Sequence, residues 1–317
     1  QLPDADLYFV FNYSEQARRL RLEFRQTGRL PEIWDAVTGA HAPAPIYAPT
    51  PTGVAVPVDL EPWGSTFVVF RRPQPSRWVT GADPVSLEFK NGSLLTQADN
   101  VRVTLSDGTV RTVRSSPVPQ TQTLSGPWTV AFTDGRGAPP ETRWEHLTSW
   151  SEHADPGIRF YSGTAVYRTQ WNVSSVQPGQ VAVLDLGRVA DIARVVVNGK
   201  VVGVLWKTPF RADITAHLRA GNNTLEVRVA NRWINRLIGD EAIPAGFAYQ
   251  EPGKSKFTDG RLLELPAWLY DPAKRSERQR VSFSTWKHYQ ADSPLVPAGL
   301  LGPVRLEWYQ RLLVETG

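Results

Sequence analysis

The apolar residues of this chain come in short alternating runs, and each run is bounded by Gly, Pro, Asn or Asp. A period near two with such punctuation is the mark of antiparallel sheet, and helical periodicity is almost absent. Over residues 1–77 the runs "LYFVFNY", "RRLRLEFR", "PEIWD", "GVAVPVDL" and "STFVVFRR" predict a small all-β unit. The stretch "HAPAPIYAPTPTG", residues 41–53, lacks N–H groups wherever proline stands, so it reads as a surface connection or a sheet edge. "RRPQPSRW", residues 71–78, reads as a stiff linker.

A hairpin-rich connecting region follows over residues 78–120. It carries "LEFKNGSLLT", turning at Asn91-Gly92, and "VRVTLSDGTVRTV", turning at Asp107-Gly108. Both dipeptides suit turns whose central residues need positive φ. "SSPVPQTQ" marks the boundary near residue 120, and residues 121–317 change character again. "LSGPWTVAF", "GTAVYRTQWNV", "VAVLDLGRV", "ARVVVNGKVVGVLW", "ADITAHL", "NTLEVRVAN", "RVSFSTW" and "GPVRLEWYQ" are strand candidates there. Their number and spacing suit a two-sheet sandwich or jelly roll. Asn198-Gly199 marks the clearest hairpin, and "DITAHLRAGNN" offers one helical turn, capped by Asp213 or Thr215 and ended by Gly221. No alternating strand–helix units occur, so the expected fold class is all-β, with no (β/α)8 barrel.

Composition narrows the partners. The 317 residues are 41% hydrophobic and 21% charged, enough for two or three packed units. The 35 basic residues outnumber 31 acidic ones but are scattered, which reads as solvated strand faces and one mobile loop rather than a nucleic-acid surface. No apolar run of about 18 residues is present to span a membrane as a helix. Without cysteine there is no disulfide framework and no thiolate zinc site. There is no methionine either, so either processing removed the true beginning or the chain is a piece of something larger.

The chemistry concentrates in "VRVANRWINRLIGDEAIP", residues 227–244, where a strand pattern breaks into Asn231, Arg232, Trp233, Asn235, Arg236, Asp240 and Glu241. Glycoside hydrolysis usually needs two carboxyl groups, about 5–5.5 Å apart for retention or about 6.5–9.5 Å for inversion. In an extended segment Asp240 and Glu241 point to opposite faces and do not form that pair, although folding could bring Asp240 to Asp292 or Glu264. The plainer reading has Asp240 accepting from Arg232 or Arg236 and bracing an irregular strand exit. The five histidines have no metal-ligand spacing. Sugars stack their C–H faces on aromatic rings and offer hydroxyls to planar polar groups. On that chemistry the candidate sugar-contacting residues are Trp206, Lys207, Arg232, Trp233, Asn235, Arg236, Asp240, Trp286 and Asp292, whereas Trp128 and Trp171 sit in alternating runs and read as core.

The segment "VVVNGKVVGVLWKTPFRADITAHLRAGNNTLEVRVANRW" resembles the sugar-binding jelly roll of the glycoside hydrolase family 2 type, and "ADSPLVPAGLLGPVRL" resembles its closing strand. Together with "NRWINRLIGDE", "FSTWKHYQADSPLVPAGLLGPVRL", "FYSGTAVYRTQW", "DLYFVFN", "PEIWDAVTG" and "GSTFVVFR", nearly the whole chain resembles the C-terminal portion of glycoside hydrolase family 106, the α-L-rhamnosidases. In that family catalysis is attributed to two glutamates on a large N-terminal (β/α)8 barrel with a calcium ion nearby, and no such barrel is present here. The resemblance implies a non-catalytic accessory or sugar-binding part, with a rhamnose-containing glycan and the catalytic barrel of the same protein as partners. It also implies a bacterial, periplasmic or secreted setting, and calcium by analogy only. The rival readings are an independent carbohydrate-binding module, in which Trp206, Trp233 or Trp286 stands exposed beside Asn235, Arg236 or Asp240, and a free-standing glycosidase with carboxylates in the jelly roll. A purely structural role is the third.

Overall fold

A computed structural model describes residues 4–88, 92–133, 135–244, 247–251, 253, 259–271, 280 and 282–314. The chain is all-β in architecture, and among the described residues no strand–helix barrel forms. Residues 6–73 make two facing antiparallel sheets. One has the order Asp6–Phe11, Ser65–Pro73, Arg29–Asp35, His41–Pro43, and the other Arg18–Phe24, Gly53–Leu60, Ala48–Thr50. Alternation decides which side chains meet between them: Phe24, Val54, Val56, Val58, Ile33, Val68 and Phe70 are buried together. The Pro-rich stretch does supply edges, His41–Pro43 in one sheet and Ala48–Thr50 in the other. Its middle is not surface, however, because Ala44, Ile46 and Tyr47 are buried as the chain crosses between sheets.

Glu32 is fully buried in this unit. Its carboxylate is met by Trp34 Nε1 at 3.1 Å, Arg71 Nε at 2.8 Å and Arg72. Burial alone would push its pKa up; the hydrogen bonds from Trp34, Arg71 and Arg72 outweigh it and hold the carboxyl below its ordinary value. Arg71 and Arg72 therefore belong to a strand rather than a free linker, and Trp78 closes the segment by stacking on Tyr47 with centroids 5.3 Å apart.

The connecting region forms a sheet of Val110–Arg114, Asn100–Leu105 and Val79–Asp83. The strands Ser86–Glu88 and Ser93–Thr96 pair with each other and extend the C-terminal sheet through Arg305–Leu312. Asn91 lies outside the described residues. At the other turn only Gly108 has positive φ (+83°), and Asp107 Oδ1 instead accepts from Thr109 N at 2.9 Å. Ile46, Val79, Leu94, Val101, Val103, Leu105 and Leu312 share one core cluster, so this region is mortared to both neighbours.

The remainder is a sandwich. One sheet runs Glu141–Trp144, Trp128–Phe132, Thr164–Val173, Gly221–Ala230, Ile192–Val197, Lys200–Leu205; the other is built on Arg211–Asp213, Gln180–Asp185 and Arg305–Leu312. Asn198 (φ 51°) and Gly199 (φ 77°) form the expected tight turn, both central residues being left-handed. Trp128 and Trp171 are core residues. The Tyr167 hydroxyl accepts from Trp150 Nε1 and, at 3.1 Å, from Leu300 N, tying three distant segments where no water reaches.

Three local expectations change. "RVSFSTW" forms no strand among its described residues (Val281 lies outside them), only a bridge between Trp286 and Arg261. The helical turn at Thr215–His217 closes at Leu218, while Gly221 (φ +86°) opens the next strand. Residues after Trp233 form an α-helix, Ile234–Glu241. Ile238 is buried and Ile234 and Leu237 are half-buried, a short i, i+3, i+4 stripe that the intervening polar residues obscure.

Tyr167→Phe strands two buried donors and is expected to cost about 2 kcal/mol in urea unfolding. For Glu32 the folded pKa lies below the unfolded one, so its stabilisation is present above the unfolded pKa and lost as pH falls through the folded value. Glu32→Gln should cost about 1–2 kcal/mol at pH 7, trimmed by the partial exposure of both arginines, and the gap to the parent should close in acid.

Candidate functional site

The chain leaves the jelly roll after Gly221–Ala230 and returns at Gly299–Gly302, and most of the candidate residues lie on this long excursion. Excursions of this length are seldom idle connectors. Amides brace its base. Asn231 Oδ1 accepts from Gly163 N at 3.0 Å, and its Nδ2 donates to Tyr161 O at 2.9 Å. Asn235, buried, donates to Val296 O at 2.8 Å and accepts from Val296 N at 2.9 Å, which clamps outgoing and returning chain together.

The helix places Asp240 inward, fully buried. Its Oδ1 meets Arg236 Nη2 at 2.5 Å, and its Oδ2 accepts from both N and Oγ of Ser282 at 2.7 Å each. Arg280 completes the network: Nε donates to Ser282 O, Nη1 to Asp240 O and Ile243 O, and Nη2 to Glu241 Oε1 at 2.5 Å. Its guanidinium lies 4.9 Å from the centroid of the Phe247 ring. Asp240 and Glu241 are thus neighbours on a helix, not opposite faces of an extended segment, and each has its own arginine. Arg236, one of two anticipated partners, takes Asp240; Arg232 pairs with Asp191 at 3.0 Å on the surface. A carboxylate sealed in this way cannot reach a glycosidic oxygen, so Asp240 is a brace.

The tryptophans lie outside. Trp206 is 56%, Trp233 49% and Trp286 39% exposed. Arg136 sits 5.7 Å from the Trp233 ring centroid, and Trp286 Nε1 donates to Asp259 O at 3.0 Å. Asp292 and Glu264 are also exposed, whereas Asp240 is buried. Lys207 acts elsewhere. Partial burial pushes the pKa of Glu61, from the N-terminal unit, upward, while Arg211 and Lys207 pull against that rise. Lys207 is therefore near enough to Glu61 for its charge to be felt there.

Beside the network opens a cavity of about 480 Å³, lined by Glu241, Phe247, Tyr249, Gln250, Arg280 and Lys287 among others. Apart from Glu241, none of these residues was a candidate from the sequence: Arg280 opens the strand-like "RVSFSTW", and nothing local marks Phe247, Tyr249, Gln250 or Lys287 as meeting it. Among the described residues no group of three or more His, Asp or Glu side chains gathers that could hold a metal ion. No described helix is long and apolar enough to cross a membrane.

Asp240→Asn is expected to destabilise the fold by about 3 kcal/mol, because it removes the buried charge on which Arg236 and Ser282 converge. Thermal and urea unfolding check this; unchanged stability would mean that the carboxylate braces nothing.

Residues 152–261 match the family described as glycosyl hydrolase 2 galactose-binding domain-like. A Formosa agariphila protein with the provisional name beta-glucuronidase is 38% identical over 233 residues, 73% of this chain and 18% of that protein. The solved structure of a rhamnosidase from Novosphingobium sp. PP1Y aligns with a TM-score of 0.68 and 33% identity, over 98% of this chain and 23% of that one. The chain thus spans less than a quarter of the length of either relative.

Proposed function

We propose that this chain is the non-catalytic accessory part of a larger glycoside hydrolase of the family 106 kind, acting on terminal α-L-rhamnose. The observation that carries the reading is the likeness to the rhamnosidase structure along 98% of this chain but only 23% of that one. The sealed Asp240 agrees with it, since the densest polar segment of the chain holds itself together instead of a substrate. A face for the catalytic barrel is on offer in the N-terminal unit. Leu7, Phe9 and Phe11 point outward from one strand, and with Tyr13 and Trp63 they leave a contiguous aromatic surface in water. Monomeric proteins rarely expose such a patch without a partner for it. The division into 1–77, 78–120 and 121–317 belongs to the same proposal, supported by three core clusters of which the middle one borrows from both neighbours.

The exposure of Trp206, Trp233 and Trp286 favours a second reading, an independent carbohydrate-binding module. Against it, Asn235 and Asp240 are buried and Arg236 is nearly so, and the aromatic faces therefore lack the polar neighbours that reading requires.

Release of nitrophenol from an aryl α-L-rhamnoside by this chain, with calcium present, separates accessory from catalytic roles. Turnover no faster than buffer is the expected result. Clear turnover that one carboxylate substitution abolishes would overturn the proposal.

A further inference from the structure

The accessory reading leaves open where a sugar would sit, and among the described residues two openings of useful size lie in the jelly roll. The larger, about 650 Å³, lies on the outer face of the six-stranded sheet and is lined by Thr129, Arg168, Gln170, Thr224 and Glu226 among others. Arg168 in its wall, with Arg228 beside it, is spent on Glu226 at 2.9 and 2.6 Å, and the opening has no aromatic wall. The smaller is the cavity beside the helix end.

We propose that the cavity bounded by Glu241, Phe247, Tyr249, Gln250, Arg280 and Lys287 binds one neutral pyranose ring of a glycan. This rests on the accessory reading and names its sugar site. Its volume, about 480 Å³, falls in the range of small-molecule sites. Phe247 and Tyr249 supply the apolar surface that the C–H face of a pyranose needs. Their positions are set in advance: the Tyr249 hydroxyl donates to Ser284 O at 3.0 Å, the Phe247 ring meets Tyr249 at 5.6 Å, and Arg280 lies under Phe247. A wall ordered before binding costs less to occupy.

The polar groups divide in the same way. Arg280 is committed to four acceptors and serves as floor. The Gln250 amide carries a donor and an acceptor end, Lys287 carries donors, and neither side chain makes a hydrogen bond or ion pair among the described residues. Glu241 retains one oxygen beyond its bond to Arg280. These suit vicinal hydroxyls. The charge balance selects a neutral ring: the lining carries two carboxylates, Glu241 and Glu251, and two cations, Arg280 and Lys287, with Arg280 already bound to Glu241, so a carboxylated sugar would meet two carboxylates in the same wall.

The test is titration of methyl α-L-rhamnoside, methyl β-D-galactoside and glucuronate into the full chain by calorimetry or saturation-transfer NMR. Gln250→Ala and Lys287→Ala alter side chains that make no hydrogen bond or ion pair among the described residues, and Trp206→Ala and Trp233→Ala serve as the surface comparison. A neutral glycoside should bind, with affinity falling about tenfold in each cavity variant and holding in both tryptophan variants. Loss in the tryptophan variants alone, preference for glucuronate, or no binding of any of the three sugars would overturn the site. Turnover is read separately: hydrolysis by the chain would overturn the accessory reading wherever the sugar binds, and binding failure without hydrolysis would overturn the site alone.

Discussion

A carboxylate taken out of water has to be met by donors on both oxygens, or the fold that buries it will not form. Asp240 is such a group, and the donors come from two directions: Arg236 one turn back on its own helix, and Ser282 far along the chain. Satisfying one charge therefore joins the outgoing and returning limbs of the excursion. Arg280 repeats the tie through backbone carbonyls of Asp240 and Ile243, and Asn235 closes the base on Val296. Gly239 completes the seat, because a Cβ there would fall 2.5 Å from Phe160 Cγ. The described limbs of the excursion are thereby tied to each other and, through Asn231, to the jelly roll.

The same physics recurs at lower stakes elsewhere. Glu32 gathers Trp34, Arg71 and Arg72 around one buried carboxylate in the N-terminal unit, and the Tyr167 hydroxyl gathers Trp150 and Leu300 in the jelly roll. In each case a polar atom with a strict need for partners specifies which segments meet, whereas apolar contacts only require that something meet. The hydrophobic clusters supply bulk stabilisation, and the polar knots select the arrangement.

Structure and function connect through this division. Charges sealed for architecture are withdrawn from chemistry, which is why the polar run that first suggests an active site fits an accessory part better. The open groups are those the knots leave over: the ring walls of Phe247 and Tyr249, the Gln250 amide and the Lys287 ammonium. They face a cavity whose floor cannot shift without breaking the network beneath it. Recognition without hydrolysis suits such a site, since binding a ring needs a shaped wall, while cleaving a bond needs a pair of carboxyl groups free to exchange protons.

Much of the fold was legible in the order of residues because strand alternation and turn chemistry are properties of near neighbours. Period-two runs gave the sheets, Asn198-Gly199 gave its turn, the Pro-rich stretch supplied the edge strands His41–Pro43 and Ala48–Thr50, and Trp128 and Trp171 fell into the core as their alternation required. The candidate site was legible only in part. The helix Ile234–Glu241 is short and mostly polar, so its period is masked, and "RVSFSTW" has strand-like composition yet is drawn off the sheets by Arg280 and Ser282 binding the helix end. That Asp240 would meet Arg236 was one of two readings open to the sequence; that it would also meet Ser282, and that Phe247, Tyr249 and Lys287 would frame one cavity, was not among them. Local pattern determines what each segment can become, but which distant donor reaches a buried charge depends on the path of the whole chain, and only the tertiary structure decides that.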